Sequence, residues 1–224
     1  MPAAYHITLK PAGFSDFPEV IKRLKREKKL VCHPLGKGKS LISEPNASVN
    51  YLGYEISKER ISVRTATEKK LMSSIMEIIF GARPEAPERA LWRVNLRITG
   101  CRISGTNLGW IFYFSQIDDL ALLAKMDTQI RAAVVSRFGE AAAGRIKRLI
   151  KAYHQAKYNH RDSTYFPDFA NYTREEMEQH LELLAPGRFR NMASKTDAEI
   201  KRIFSASVWR EVKRMERDTL GNFS

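Results

Sequence analysis

Asp118 and Asp119 stand side by side after the apolar run Trp110-Ile-Phe-Tyr-Phe114. Paired carboxylates in such a place are the side chains that hold two Mg²⁺ ions in phosphoryl transfer. In that arrangement the position two before the first aspartate is usually aromatic, and here it is Gln116. The residues that follow, Leu120, Leu123, Ile130 and Val134, recur at helical spacing. The pair therefore reads as the first turn of a helix, where the macrodipole favours acids.

Other chemistries find less support. The five histidines (His6, His33, His154, His160 and His180) form no HExxH and do not pair with a cysteine at ligand spacing, so no metal site is expected. Cys32 and Cys101 form no CxxC, and two cysteines in 224 residues are not a disulfide scaffold. No GxSxG is present, and Leu35-Gly-Lys-Gly-Lys-Ser40 has the wrong glycine spacing for a phosphate-cradling Walker loop. Lys37 and Lys39 of that loop could still meet a phosphate as mobile cations, or the loop is a solvated turn. No catalytic residue is assigned.

What the chain offers instead is charge. Lys and Arg number 38 against 25 acids, a formal net charge of +13, and a field of that sign recruits polyanions, nucleic acid first among them. Tyr51, Tyr54, Arg60 and Arg64 fall on or near one predicted hairpin, while Trp92, Arg93, Arg97 and Trp110 cluster further on. Aromatic rings can stack on bases while cations follow phosphates, although Trp92 and Trp110 also suit a core. No segment is apolar enough to span a membrane, and the N-terminus lacks a signal-peptide pattern. A cytoplasmic protein is the expectation.

The elements that must position these residues change character near residue 64. Before it, Tyr5 to Lys10 alternates weakly. Phe17 to Leu30 has helical spacing and carries Lys22-Arg-Leu-Lys-Arg-Glu-Lys-Lys29. Val31 to Pro34 suggests a short strand. Val49 to Ile56 and Arg60 to Arg64 read as two strands of a hairpin. After Arg64 helices are expected at 66–80, 87–98, 117–138, 141–158, 173–184, 197–204 and 207–218. Capping boxes announce three of them, at Thr65/Glu68, Thr173/Glu176 and Thr196/Glu199. Gly100 to Gly109 is a turn-rich link, and Trp110 to Phe114 could be a strand or a buried helix entry. The fold class is therefore α+β, mostly α.

The segment Asn50-Tyr51-Leu52-Gly53-Tyr54-Glu55-Ile56 resembles the primer-grip hairpin of prokaryotic reverse transcriptases, whose strands carry a (Y/F)LGY motif. The charged helix, the short strand and the lysine-bearing loop before it are similar to the end of the palm in that family. The helices after it are similar to the thumb. Leu91 to Cys101 and Gly109 to Gln116 resemble the C-terminal region of a defence-associated lineage of these enzymes. The likeness covers most of the chain from about residue 17.

The resemblance implies residues 1–64 as the end of a palm and 65–224 as a helical thumb and C-terminal region. It implies RNA-directed DNA polymerase activity in the intact enzyme, with Mg²⁺ as cofactor, an RNA template and a DNA primer as partners, and a role in antiviral defence. Catalytic aspartates lie upstream of the hairpin in that family, and the roughly 50 residues preceding it here hold no YxDD. The expectation is thus a gripping part that is inactive by itself and neither binds the Mg²⁺ nor spans a membrane, with fingers and catalytic palm on a separate chain or segment. Tyr51, Leu52, Gly53 and Tyr54 would hold the primer 3′ end, Arg60, Arg64, Arg93 and Arg97 would follow phosphates, and Lys37 or Lys39 would approach the triphosphate. A stand-alone, non-catalytic nucleic-acid-binding module is the alternative.

Overall fold

The computed structural model describes residues 17–29, 31, 33, 47–189 and 191–219. Two compact units divide between Val49 and Asn50, so the strands after residue 50 belong with the helices that follow them. Among the described residues 61% are helix and 9% strand, with two small antiparallel sheets, an α+β and mostly α arrangement.

In the first unit, helix α1 (Phe17–Lys28) is as charged as its sequence requires, with Arg23 and Glu27 paired across one turn at 3.1 Å. Lys29, in left-handed backbone at φ 53°, ends it. Val31 and His33 lie outside any strand. The expected Tyr5–Lys10 alternation, Cys32 and the Lys37/Lys39 loop fall outside the described residues.

Beyond the division comes a three-stranded sheet in the order β1 (Val49–Tyr51), β2 (Tyr54–Ile56), β3 (Ile61–Val63). The stretch expected as one strand from Val49 to Ile56 is thus itself a hairpin. Leu52 and Gly53 both take positive φ, 47° and 86°, which is the two-residue turn whose twist suits antiparallel strands. A leucine in that position is strained; glycine is not. β2 and β3 pair Tyr54 with Val63 and Ile56 with Ile61.

Helix α2 (Thr65–Gly81) begins one residue too early for the expected Thr65/Glu68 box. Arg64 is its cap and offers only backbone: its carbonyl accepts from the N–H of Thr67 and Glu68, at 2.8 and 3.0 Å. Glu68, released from capping, pairs with Lys125 at 3.1 Å. Helix α3 (Glu88–Thr99) follows. The link from Gly100 to Gly109 is then a second hairpin, β4 (Cys101–Ile103) against β5 (Thr106–Leu108). Short β-runs of mixed polarity between glycines carry little periodicity, which hid them in the sequence. Trp110 to Tyr113 is one helical turn, α4.

Helix α5 (Leu120–Phe138) agrees with expectation. The helix expected over 141–158 is two, α6 (Glu140–Ala143) and α7 (Leu149–Tyr158). The break is held from outside, because Asn95 Oδ1 accepts from the Lys147 N–H at 2.8 Å and Asp127 caps the amides of Leu149 and Ile150 at 2.6 and 3.2 Å. Helix α8 (Arg174–Leu184) opens with the full Thr173/Glu176 capping box. After a 3₁₀ turn at Met192–Ser194, α9 (Asp197–Thr219) runs unbroken where two helices were expected. It starts from the Thr196/Glu199 box, whose reciprocal bonds measure 2.9 and 3.4 Å.

α3 is the helix on which this unit turns. Leu91, Val94 and Ile98 join a core built with Leu71, Ile75 and Ile79 of α2, Trp110 and Phe114, Leu123, Met126 and Ile130 of α5, and Leu149 of α7. Leu96 faces a second core with Phe169, Leu181 of α8, and Ile200, Phe204, Val208 and Val212 of α9. A helix wedged between two cores has little solvent face for its arginines. Glu211 of α9 answers this: 5% exposed, it accepts from both Nε and Nη2 of Arg93 and lies 3.8 Å from Arg89 and 3.2 Å from Arg214. Removing one partner of a buried ion cluster leaves the others uncompensated. Glu211→Ala is therefore expected to lower unfolding free energy by about 3 kcal/mol, read from urea denaturation, with a much smaller loss for an exposed acid such as Glu175.

His180 sits in the second core, ringed by Trp92 at 4.7 Å, Phe204 at 5.5 Å, Phe169 at 5.6 Å and Tyr172 at 5.8 Å. Burial drives its pKa from 6.5 down to about 4, against a smaller upward pull from Glu211. The folded state then keeps His180 neutral where the unfolded chain takes up a proton. Its contribution is intact above pH 6.5 and is lost as pH falls toward 4, by on the order of 3 kcal/mol. Urea midpoints measured across that window should fall for the native protein, and His180→Phe should flatten that component.

Candidate nucleic-acid interface

The Leu52–Gly53 turn is pinned to the start of α2. Gly53 O accepts from the Arg64 N–H at 2.9 Å and from Thr67 Oγ1 at 3.4 Å. Leu52 is exposed at the tip and Gly53 is buried beneath it. The flanking tyrosines do not share that exposure. Tyr54 turns inward, its hydroxyl donating to Tyr113 O at 2.5 Å and its ring packed on Phe114 at 5.0 Å, and burial pushes its phenol up to about 12. Tyr51 is half-buried and lies near Tyr113, whose phenol is raised first by burial and then by Tyr51. The two tyrosines anchor the hairpin; the turn between them is what it presents.

Arg60 and Arg64 sit at opposite ends of β3, roughly 13 Å apart along an extended strand. Arg64 is exposed beside the turn. Arg60 instead faces Asp119 at 3.4 Å. Arg93 is committed to Glu211. Arg97 is 3% exposed, with Nε donating to Ser74 Oγ at 2.7 Å and Nη1 to Arg93 O at 3.5 Å, so it cannot reach a phosphate. Of the eight residues expected to meet nucleic acid, the structure brings Leu52 and Arg64 to one exposed place with Gly53 buried between them, backs them with Tyr51 and Tyr54, and puts Arg60, Arg93 and Arg97 elsewhere.

Beyond the turn, α2 and the end of α9 frame an open groove of about 560 Å³, lined by Ala66, Lys69, Lys70, Ser73, Ser74, Glu77 and Arg217. Three cations face one acid there. Neither Lys69 nor Lys70 has an ion-pair partner among the described residues. Ser74 accepts the Arg97 bond, which sets a buried positive charge behind the groove. Lys69 and Ser73, one helical turn apart, were open to sequence reasoning as one face of α2. Arg217, almost 150 residues later, was not.

Asp118 and Asp119 have structural work. Asp118 exchanges two bonds with Ile61, its N–H donating to Ile61 O and its Oδ1 accepting from the Ile61 N–H, both at 2.9 Å. Asp119 Oδ2 accepts from Ser62 Oγ at 2.8 Å, and its Oδ1 caps α5 through the Leu122 N–H at 3.1 Å. Oxygens so occupied do not fit a two-Mg²⁺ site, and no cluster of three potential ligands occurs among the described residues. Cys101 is buried with its thiol pushed up to about 12, which leaves no thiolate for chemistry near neutral pH. No helix among the described residues is long and apolar enough to cross a membrane.

The chain matches no protein-family model, no curated protein and no solved structure. The site therefore rests on its own geometry. Because Asp119 is a helix cap and a strand clamp, Asp119→Ala should cost about 1–2 kcal/mol of stability in chemical denaturation. An unchanged midpoint would mean the clamp contributes nothing.

Proposed function

We propose that this chain is the primer-grip and thumb part of an RNA-directed DNA polymerase, holding an RNA–DNA hybrid for dNTP addition by aspartates that lie outside it. The supporting observation is the cationic groove lined by α2 and Arg217, on the same helix whose start holds the Leu52–Gly53 turn. In this reading the Leu52–Gly53 turn meets the primer 3′ end, where a glycine lets backbone approach closely. Lys69, Lys70 and Arg217 follow phosphates, and Ser73 and Ser74 offer hydroxyls to 2′-OH groups of the RNA strand. Mg²⁺ belongs to the catalytic part of the enzyme, and the work is cytoplasmic, in antiviral defence as the sequence resemblance suggests. By itself the chain binds and does not polymerise.

The groove also suits a stand-alone nucleic-acid-binding module, so the test separates the two. Fluorescence anisotropy should show a hybrid with a recessed 3′ end bound more tightly than the same duplex closed by a loop at that end. Affinity should fall steeply with salt, and Lys69→Ala/Lys70→Ala should lower the log–log slope by about 2. Equal affinity for every duplex end makes the chain a general binding module. No salt-dependent binding overturns both readings. Primer extension by this chain alone, abolished by Asp118→Ala, would overturn the assignment of the aspartates.

A further inference from the structure

A second cleft opens on the same unit, between β5, α4 and the turn after it, α7 and the end of α9, and shares no lining residue with the groove of α2. It holds about 470 Å³, within the size range of small-molecule sites. One part of its lining is apolar and aromatic, from Leu108, Phe112 and Tyr113. Phe112 is held by the Phe166 ring at 4.6 Å and Tyr113 by the near-parallel Tyr54 ring at 6.4 Å, so both present fixed surfaces.

The polar groups of the cleft are of two signs. Lys157 donates to Tyr153 Oη at 2.5 Å and to Ile117 O at 3.3 Å, which orients its ammonium and leaves a third N–H. The bond to Tyr153 also holds its pKa above the ordinary lysine value. Glu216 is the opposite case. Partly buried on α9, it has no cation partner among the described residues of a strongly basic chain, and burial raises its pKa. Lining the cleft without such a partner, this carboxylate is placed to accept from a ligand bearing N–H donors.

We infer that this cleft is a mononucleotide site selective for guanine. The flat base lies against Phe112 and Tyr113, its adjacent N1–H and 2-amino donors pair with the two oxygens of Glu216, and its phosphate meets Lys157. A carboxylate accepts two parallel N–H bonds in a single plane, and guanine supplies them side by side. The site does not depend on the polymerase reading, because the residues involved are different and the ligand is a free nucleotide.

Isothermal titration of the full chain with GMP, IMP and inorganic phosphate tests this. IMP differs from GMP by the 2-amino group alone, and phosphate reports an anion site with no base recognition. GMP should bind saturably and about tenfold more tightly than IMP, as expected for losing one bond to a charged group. Glu216→Gln should bind the two alike, and Ser115→Trp, which puts a bulky ring on the cleft's lining, should bind neither. Far-UV circular dichroism checks both folds. Should Glu216→Gln fail to fold, the GMP/IMP ratio of the native protein and the Ser115→Trp result still decide. No saturable GMP binding, equal GMP and IMP affinities, phosphate binding as tightly as GMP, or full binding by a folded Ser115→Trp would each overturn the site.

Discussion

A single buried carboxylate, Glu211, decides where the C-terminal helix lies. α3 sits between two hydrophobic cores, and Glu211 pairs with its Arg93 and lies 3.8 Å from its half-exposed Arg89. That ties α9 to α3 and, by continuity of one helix, sets the six residues after it in register. Met215 is then fully buried and lies against Gly109, where an added Cβ would stand 3.4 Å from its methyl. Glu216 falls in one cleft and Arg217 in the other groove. Two surfaces with different chemistry are thus finished by neighbouring residues on one rigid rod, and both depend on an ion cluster more than a helical turn away.

The same economy appears at the hairpin. Its strands are three residues long, too short to be stable alone. They are held by bonds to groups outside the sheet: Asp118 on the backbone of Ile61, Asp119 on Ser62, Tyr54 on Tyr113 O, and Gly53 O on the start of α2. Every one of those anchors lies on a helix or beside one. The sheet is thus an appendage of the helical body, which explains why the compact units part at residue 49 and not after the strands. It also explains why the pair of aspartates looks catalytic in sequence. An acid at a helix start and an acid on a strand edge are each ordinary, and their adjacency follows from a clamp that must satisfy both.

Most helices could be read from the chain because their apolar faces repeat at 3.6 residues and two of the three capping boxes are real. The failures have local causes. Thr65 could not cap because the helix already begins on it, and the Glu68 N–H that its hydroxyl would bond is donated to the Arg64 carbonyl. The break between α6 and α7 is imposed by Asn95 and Asp127, which sequence windows cannot see. The β4–β5 hairpin is forced by glycine: a Cβ on Gly100 would stand 2.2 Å from Leu108 O, so the strands close more tightly than any other residue permits. For the site, the motif singled out Leu52 and Gly53 but not their turn, since Val49 to Ile56 reads as one continuous strand. The groove was only half legible, since Lys69 and Ser73 share a helix face while Arg217 arrives through tertiary structure.

Net charge was the strongest functional signal in the composition, yet the structure divides it unevenly. Arginine supplies most of the ion pairs in the helical unit: Arg60 with Asp119, Arg93 with Glu211, Arg131 with Glu140, Arg145 with Glu88, Arg174 with Glu178 and Asp197. A planar guanidinium with five donors suits that role, since it can satisfy a carboxylate and a carbonyl at once. Arg102 shows it well, bonding Asn107, Arg161 O and His160 O while facing Asp168. These cations are paired within the fold, several of them at its surface. Lysines on α2 are left to solvent, where a compact ammonium on a flexible stem can follow a moving phosphate chain. A polyanion at the α2 groove would meet two such lysines, Lys69 and Lys70, and one arginine, Arg217. Because the arginines named above are paired, a count of basic residues overstates how many cations stand without an acid beside them.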